Sequence, residues 1–198
     1  MISKTLYDVF FKEYQVEKDD VVFSLGAYDG EEVEYLSERV GPNGKVFAIE
    51  AEPNAFKKLE ENVSRYKHNN VITLNLAITD FTGVTNIVDV GGSNYTQKEQ
   101  VDNSFTVNCT TMDQIVKDYS LTNIDYIKVN IEGDEKPMLN GFKEHYSIVK
   151  RWCISCHDFT GIENQKTFDF VTDFLKERNI EYRQYPSDKG YANFYVYA

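Results

Sequence analysis

The chain has 198 residues, 41% of them hydrophobic, enough for one well-buried core, so the expectation is a single domain over 1–198. Its formal charge of −11 argues against nucleic acid as a partner, because polyanions are held mainly by Lys and Arg, and no apolar run approaches the roughly 18 residues of a membrane helix. The three cysteines suit a reducing compartment better than a disulfide framework, and Met1-Ile2-Ser3-Lys4 does not begin a secretory signal, so the expected location is cytoplasmic.

In chain order, residues 1–19 form a lead-in whose helix starts at Ser3 and runs to about Tyr14. Val21 to Leu25 is an apolar strand ending at Gly26. Glu31 to Val40 then places Val33, Leu36 and Val40 on one helical side, and Gly41-Pro42-Asn43-Gly44 stops it. Lys45 to Glu50 is a second strand, Pro53 opens a helix with Phe56, Leu59 and Val63 on one face, and Val71 to Ala77 is a third strand. Residues 91–104 read as a loop insertion between strands near Thr85 to Val90 and Phe105 to Cys109. A helix over Met112 to Tyr119 precedes the strand IDYIKVNI, a short helix ending near Gly141 and the strand RWCISCH. The last helix spans about Asn164 to Arg178, and two strands close the chain, Ile180 to Tyr185 and Tyr191 to Tyr197, antiparallel across Pro186 to Gly190. Strands alternating with helices predict an α/β fold with a mostly parallel sheet and helices on both faces.

The pair Cys153 and Cys156 in WCISC resembles a redox or zinc motif. A spacing of three on a strand points the thiols to opposite faces, however, and no second pair completes a tetrahedral site, so they are read as structural and no metal is expected.

In such sheets ligands bind beyond the carboxyl ends of the strands, and the first strand-to-helix turn is the usual cofactor cradle. Here that turn is Gly26-Ala27-Tyr28-Asp29-Gly30. It lacks the central glycine of a dinucleotide fingerprint and carries Asp29, Glu31 and Glu32, which would repel a diphosphate and favour a cationic ligand such as S-adenosylmethionine. Glu50, ending the second strand, is placed to accept hydrogen bonds from a ribose diol. The bland alternative makes Asp29 a helix cap with Glu32 as its capping-box partner, and Glu50 a simple loop carboxylate.

SLGAYDG, VFAIEAEPNAFKKLEENV, NVITLNLAITDFTG and IDYIKVNIEGDEKPMLNG, in that order over roughly residues 21–141, resemble the FkbM-type S-adenosylmethionine-dependent methyltransferases of the class I superfamily. The resemblance implies a Rossmann-like fold whose seven-stranded sheet has an antiparallel last strand. It implies cofactor contacts at Gly26, Ala27, Tyr28, Asp29, Gly30, Glu50 and Ala51, and adenine near Ala77, Ile78 and Asp80. It also implies methylation of a hydroxyl group, on a sugar or a small natural product.

Two positions depart from the family pattern. Ser24 stands where an acidic residue is usual, and can still hydrogen-bond the methionine portion of the cofactor or the loop backbone. Asn130 stands where Asp is usual, and can orient a nucleophile without serving as its base. Glu132 and His157, just past the ends of two central strands, are the candidate bases, set against the plainer readings of helix-terminal charge compensation and a strand-end histidine. Asp158 orients His157 only if the chain turns back. The expected function is therefore O-methylation of a small or glycan acceptor, with an N-methyltransferase or a catalytically silent cofactor-binding module as alternatives.

Overall fold

The runs VVFSL, KVFAI, YIKV and WCISC are buried along almost their whole length, as strands covered by helices on both faces must be. They belong to a computed structural model that describes residues 2–89, 94–97, 104–158, 166–187, 192 and 194–198. Helix α1 (Lys4–Phe10) leads into β1 (Val21–Leu25), α2 (Glu31–Val40), β2 (Lys45–Ile49), α3 (Pro53–Val63) and β3 (Val71–Leu74). Then come β4 (Ala77–Ile78), β5 (Gly83–Asp89), β6 (Asn94–Gln97), β7 (Ser104–Thr110) and α4 (Met112–Asp118). The chain continues through β8 (Tyr126–Val129), α5 (Glu135–Asn140), β9 (Trp152–Cys156), α6 (Phe168–Glu177), β10 (Arg183–Pro186) and β11 (Phe194–Tyr197).

Seven strands form one sheet in the order β3-β2-β1-β8-β9-β11-β10. The pairs β1/β2, β1/β8, β2/β3 and β8/β9 are parallel, and the last strand, β11, runs antiparallel to both neighbours. Strand order reverses between β1 and β8, so a crevice opens there beyond their carboxyl ends.

Alternation along the strands divides the core into two layers. Phe23, Leu25, Phe47, Ile127, Val129 and Ile154 face α4, α5 and α6, with Phe23 and Phe47 stacked at 4.4 Å between ring centroids. Val22, Val46, Ala48, Tyr126 and Cys153 face α1, α2 and α3, which contribute Phe10, Val33, Leu36, Val40 and Leu59. Burying a side chain of this size is worth about 1.5 to 3 kcal/mol. On this second face the β1/β8 register sets Ser24 beside Lys128, two polar residues in an apolar layer.

Several elements differ from the sequence expectation, the first being α1, which ends at Phe10 rather than near Tyr14. The strand expected over Val71 to Ala77 breaks after Leu74, because the Asn75 side-chain amide donates to the carbonyls of Glu50 (2.9 Å) and Ala51 (3.1 Å) and turns the chain away. Ala77 then joins a second, four-stranded sheet of order β4-β7-β5-β6. The expected loop over 91–104 contains β6, antiparallel to β5, whereas residues 91–93 and 98–103 lie outside the described residues. The expected helix start at Asn164 and the turn at 188–190 also lie outside them, and α6 is described from Phe168. No helix among the described residues is long and apolar enough to cross a membrane.

Cys153 and Cys156 do point to opposite faces, one into each core layer. Burial pushes the Cys153 thiol up to about 12 and raises that of Cys156 as well, and Cys109 is equally enclosed. A thiolate-seeking reagent in mildly alkaline buffer should therefore leave all three thiols intact in the folded protein and modify all three on denaturation. Rapid labelling of the native chain would contradict this packing.

Candidate functional site

The turn after β1 closes against β2 and β8. The N–H groups of Gly26 and Ala27 both donate to the Ile49 carbonyl at 3.0 Å, and Gly26 has φ +74°. A Cβ on Gly26 would lie 2.0 Å from the Asn130 carbonyl oxygen, so this approach of β1 to β8 admits glycine alone. Two α3-side residues brace the far side: the Asn62 amide donates to the Asp29 carbonyl at 2.8 Å and the Tyr66 hydroxyl to the Gly30 carbonyl at 3.0 Å. Gly30, not Asp29, is the cap of α2, and it makes no side-chain cap.

Glu50 ties this turn to the next one. Its Oε2 accepts from the Tyr28 N–H at 2.8 Å and its Oε1 from the Glu52 N–H at 2.9 Å, which leaves each oxygen a further lone pair. Burial pushes its carboxyl above the usual glutamate range, against the opposing pull of those N–H donors and of the Lys128 charge. Glu52 caps α3 through the N–H groups of Asn54 and Ala55.

Between β1, β8 and α2 lies a buried polar cluster that sequence reading did not single out. Lys128 is 2% exposed; its Nζ donates to Glu32 Oε1 at 2.9 Å and to the Gly26 carbonyl at 2.7 Å. Ser24 Oγ donates to the same Glu32 oxygen at 2.7 Å. The ammonium also stands 5.2 Å from the centre of the Phe10 ring, a cation–π contact from α1. In place of a capping box, Glu32 turns inward to neutralise the lysine.

Past β8, Asn130 donates its N–H to the Leu25 carbonyl at 3.0 Å, and its Oδ1 is buried with no hydrogen bond among the described residues. Glu132 adopts φ +56°, a conformation that costs a non-glycine residue of order 1 to 3 kcal/mol and aims it away from the helical path. His157, at the end of β9, is fully enclosed. Its Nδ1 lies 2.7 Å from Oε1 of the equally buried Glu135, and its Nε2 lies 3.8 Å from Glu132 Oε1. Glu135, not Asp158, thus orients the imidazole; Asp158 instead accepts the N–H groups of Thr167 and Phe168 at the start of α6.

These groups surround a cavity of about 620 Å³. Gly26, Tyr28, Asp29, Glu50, Ala51, Ala77 and Ile78 line it, as do Asn130 and Glu132. Ser24, Ala27, Gly30, Asp80 and His157 do not: Ser24 and Ala27 lie fully buried behind the wall, and His157 stands behind Glu132. The described His157 side chain thus has no surface on this cavity. Ser3, Leu6 and Phe10 of the lead-in, and Ile87 and Phe105 of the second sheet, also line the cavity. Its lining is acidic, with Asp29, Glu31, Glu32, Glu50, Glu52, Glu132 and Asp134 against the one amine of Lys128 among the described residues. A further cluster, Asp113 with Glu144 and His145, lies outside the cavity, where Asp113 caps the N–H groups of residues 143–145.

The sheet order and a crevice at its switch point define a Rossmann-like fold of the class I methyltransferase type. Residues 24–183 match the Methyltransferase FkbM domain, and the chain belongs to that family. It is 26% identical over 167 residues to the hexuronic acid methyltransferase AglP of Haloferax volcanii, a match that covers 84% of this chain and 65% of that protein. Among solved structures it is similar to the methyltransferase FkbM of Methylobacillus flagellatus, with a TM-score of 0.66 at 17% identity, covering 99% of this chain and 48% of that one. A SAM-dependent methyltransferase from Aquifex aeolicus gives a TM-score of 0.56 at 17% identity, covering 99% of this chain and 93% of that one.

Proposed function

We propose that this protein is an S-adenosylmethionine-dependent methyltransferase acting on a hydroxyl group of a sugar, a glycan or a small natural product. The observation that carries the reading is the acidic cavity at the end of β1, where Glu50 presents spare lone pairs beside a glycine turn that a diphosphate would find repulsive. Glu50 fits a ribose diol, and Ala77 and Ile78 offer an apolar wall for adenine. A cofactor held there by Glu50, Ala77 and Ile78 would supply an electrophilic methyl group for transfer from sulfur to an acceptor oxygen.

The chain's own residues then have separable tasks. Asn130 lines the cavity, and its buried Oδ1 accepts a hydrogen bond from an O–H or N–H of the acceptor or the cofactor and fixes its direction. Glu132, 24% exposed at the cavity wall, takes the hydroxyl proton. The His157 imidazole, with Nδ1 2.7 Å from Glu135 Oε1 and Nε2 3.8 Å from Glu132 Oε1, is placed to relay that proton inward. The acidic lining disfavours an anionic acceptor, so a neutral or amine-bearing sugar fits this cavity better than the hexuronic acid named for the Haloferax relative.

Methyl-labelled S-adenosylmethionine, incubated with the protein and separate neutral, amino-sugar and uronate glycan fractions, tests the reading. Label is expected on an oxygen of a neutral or amino sugar. Label on nitrogen would make it an N-methyltransferase, and cofactor binding with no labelled fraction would leave a silent binding module.

Two substitutions separate binding from chemistry. Glu50→Ala should weaken S-adenosylhomocysteine by about 1.5 to 3 kcal/mol, the worth of hydrogen bonds to a charged group. In the unmutated protein that affinity should fall as pH drops through the raised Glu50 pKa, because the ionised carboxylate is the acceptor and protonation removes it. The decline should therefore begin at higher pH than for an ordinary glutamate; calorimetry across pH reads both effects. Glu132→Gln should lower turnover by about 10² to 10⁴-fold while cofactor affinity stays nearly constant. Unchanged turnover would send the proton directly to water.

A further inference from the structure

Glu32 sits in the first turn of α2, where Glu31 is open to solvent, yet Glu32 is only 5% exposed and forms part of the cavity wall. Its Oε1 takes both the Ser24 hydroxyl and the Lys128 ammonium, while Oε2 accepts no hydrogen bond among the described residues. The carboxylate is thus held in one orientation with half of its acceptor capacity unspent. The β1 side chain at this place is Ser24, which is buried, carries no charge and does not reach the cavity. Lys128, by contrast, does line the cavity, and its positive charge would oppose a cationic ligand if Glu32 did not cancel it.

We propose that Glu32 is a cofactor-binding residue: its carboxylate, fixed by Ser24 and Lys128, receives the positively charged methionine end of the cofactor and supplies from α2 the negative charge that β1 lacks. The inference rests on the reading of this cavity as an S-adenosylmethionine site. It makes Glu32 a discriminator of charge, distinct from Glu50, which is assigned to the neutral ribose. Ser24 and Lys128 become positioning residues that act through Glu32.

Three ligands separate this role from a structural one, because they share the nucleoside and differ in the cationic groups they carry. S-adenosylmethionine has a sulfonium beside the ammonium and carboxylate of its amino acid, S-adenosylhomocysteine keeps the zwitterionic amino acid without the sulfonium, and methylthioadenosine has neither cationic group. Calorimetric titration of Glu32→Gln should find S-adenosylmethionine weakened by about 10- to 100-fold, S-adenosylhomocysteine by less, and methylthioadenosine by no more than about twofold. Equal losses for all three, or no loss for any, would overturn the assignment.

Because Glu32→Gln leaves Lys128 buried without its counter-charge, Glu32→Gln/Lys128→Met is the companion variant; deleting a buried pair together is commonly tolerated. Its balance of charge equals that of the unmutated protein, so a loss that still follows the number of cationic groups on the ligand assigns the contact to the carboxylate itself. A flat loss in this variant would overturn the proposal. If the unmutated protein binds none of the three ligands, the cofactor reading fails and the role of Glu32 falls with it.

Discussion

A lysine ammonium on a strand buried on both faces costs several kcal/mol unless it is paired and its donors are used. Lys128 meets both conditions through one carboxylate, one carbonyl and one aromatic face, drawn from α2, the turn after β1 and α1. Three separate segments are therefore tied to one charge at the carboxyl end of the sheet. Removing Glu32 would strand that charge, and removing Lys128 would release both the Gly26 carbonyl and the inward turn of Glu32. The cluster couples the folding of the sheet to the shape of the cavity.

The same end of the sheet is held by polar contacts to backbone rather than by packing. Glu50 accepts from Tyr28 and Glu52, Asn75 clasps the carbonyls of Glu50 and Ala51, and Asn62 and Tyr66 hold those of Asp29 and Gly30. Side chains that fix main-chain groups in this way leave the turn little freedom to adapt, and a rigid first turn suits a ligand recognised by a few directional bonds. Beyond β8 a second chain of groups, Glu132 to His157 to Glu135, runs from the cavity wall into the core. The Lys128–Glu32 pair on the β1 side and this row of titratable groups on the β8 side are thus carried by different elements.

Much of this was legible in the sequence. Apolar runs and helical periodicity locate the strands and helices of the main sheet, since their burial imposes the pattern, and the order of the motifs gives the family. What escaped depends on contacts between distant residues. The break at Asn75 comes from a side chain that reaches carbonyls 24 and 25 residues away, and β6 lies in a stretch whose polar, glycine-containing composition reads as loop. A strand end marks His157 as a candidate base, whereas its distance of 3.8 Å from Glu132, a residue at positive φ, and its burial depend on how the chain turns after β8. Glu32 resembled a capping residue because local spacing cannot reveal a lysine 96 positions further on. Lys128 in YIKV is the one signal that was available: a charge inside an apolar strand demands a partner.

An acidic turn beyond β1 should hold a cationic sulfur nucleoside rather than a dinucleotide. Calorimetric titration of the purified protein with S-adenosylmethionine, and with NAD in parallel, distinguishes the two. The expected result is saturable, one-to-one binding of S-adenosylmethionine with no heat from NAD beyond dilution. Saturable binding of NAD with no response to S-adenosylmethionine would contradict it.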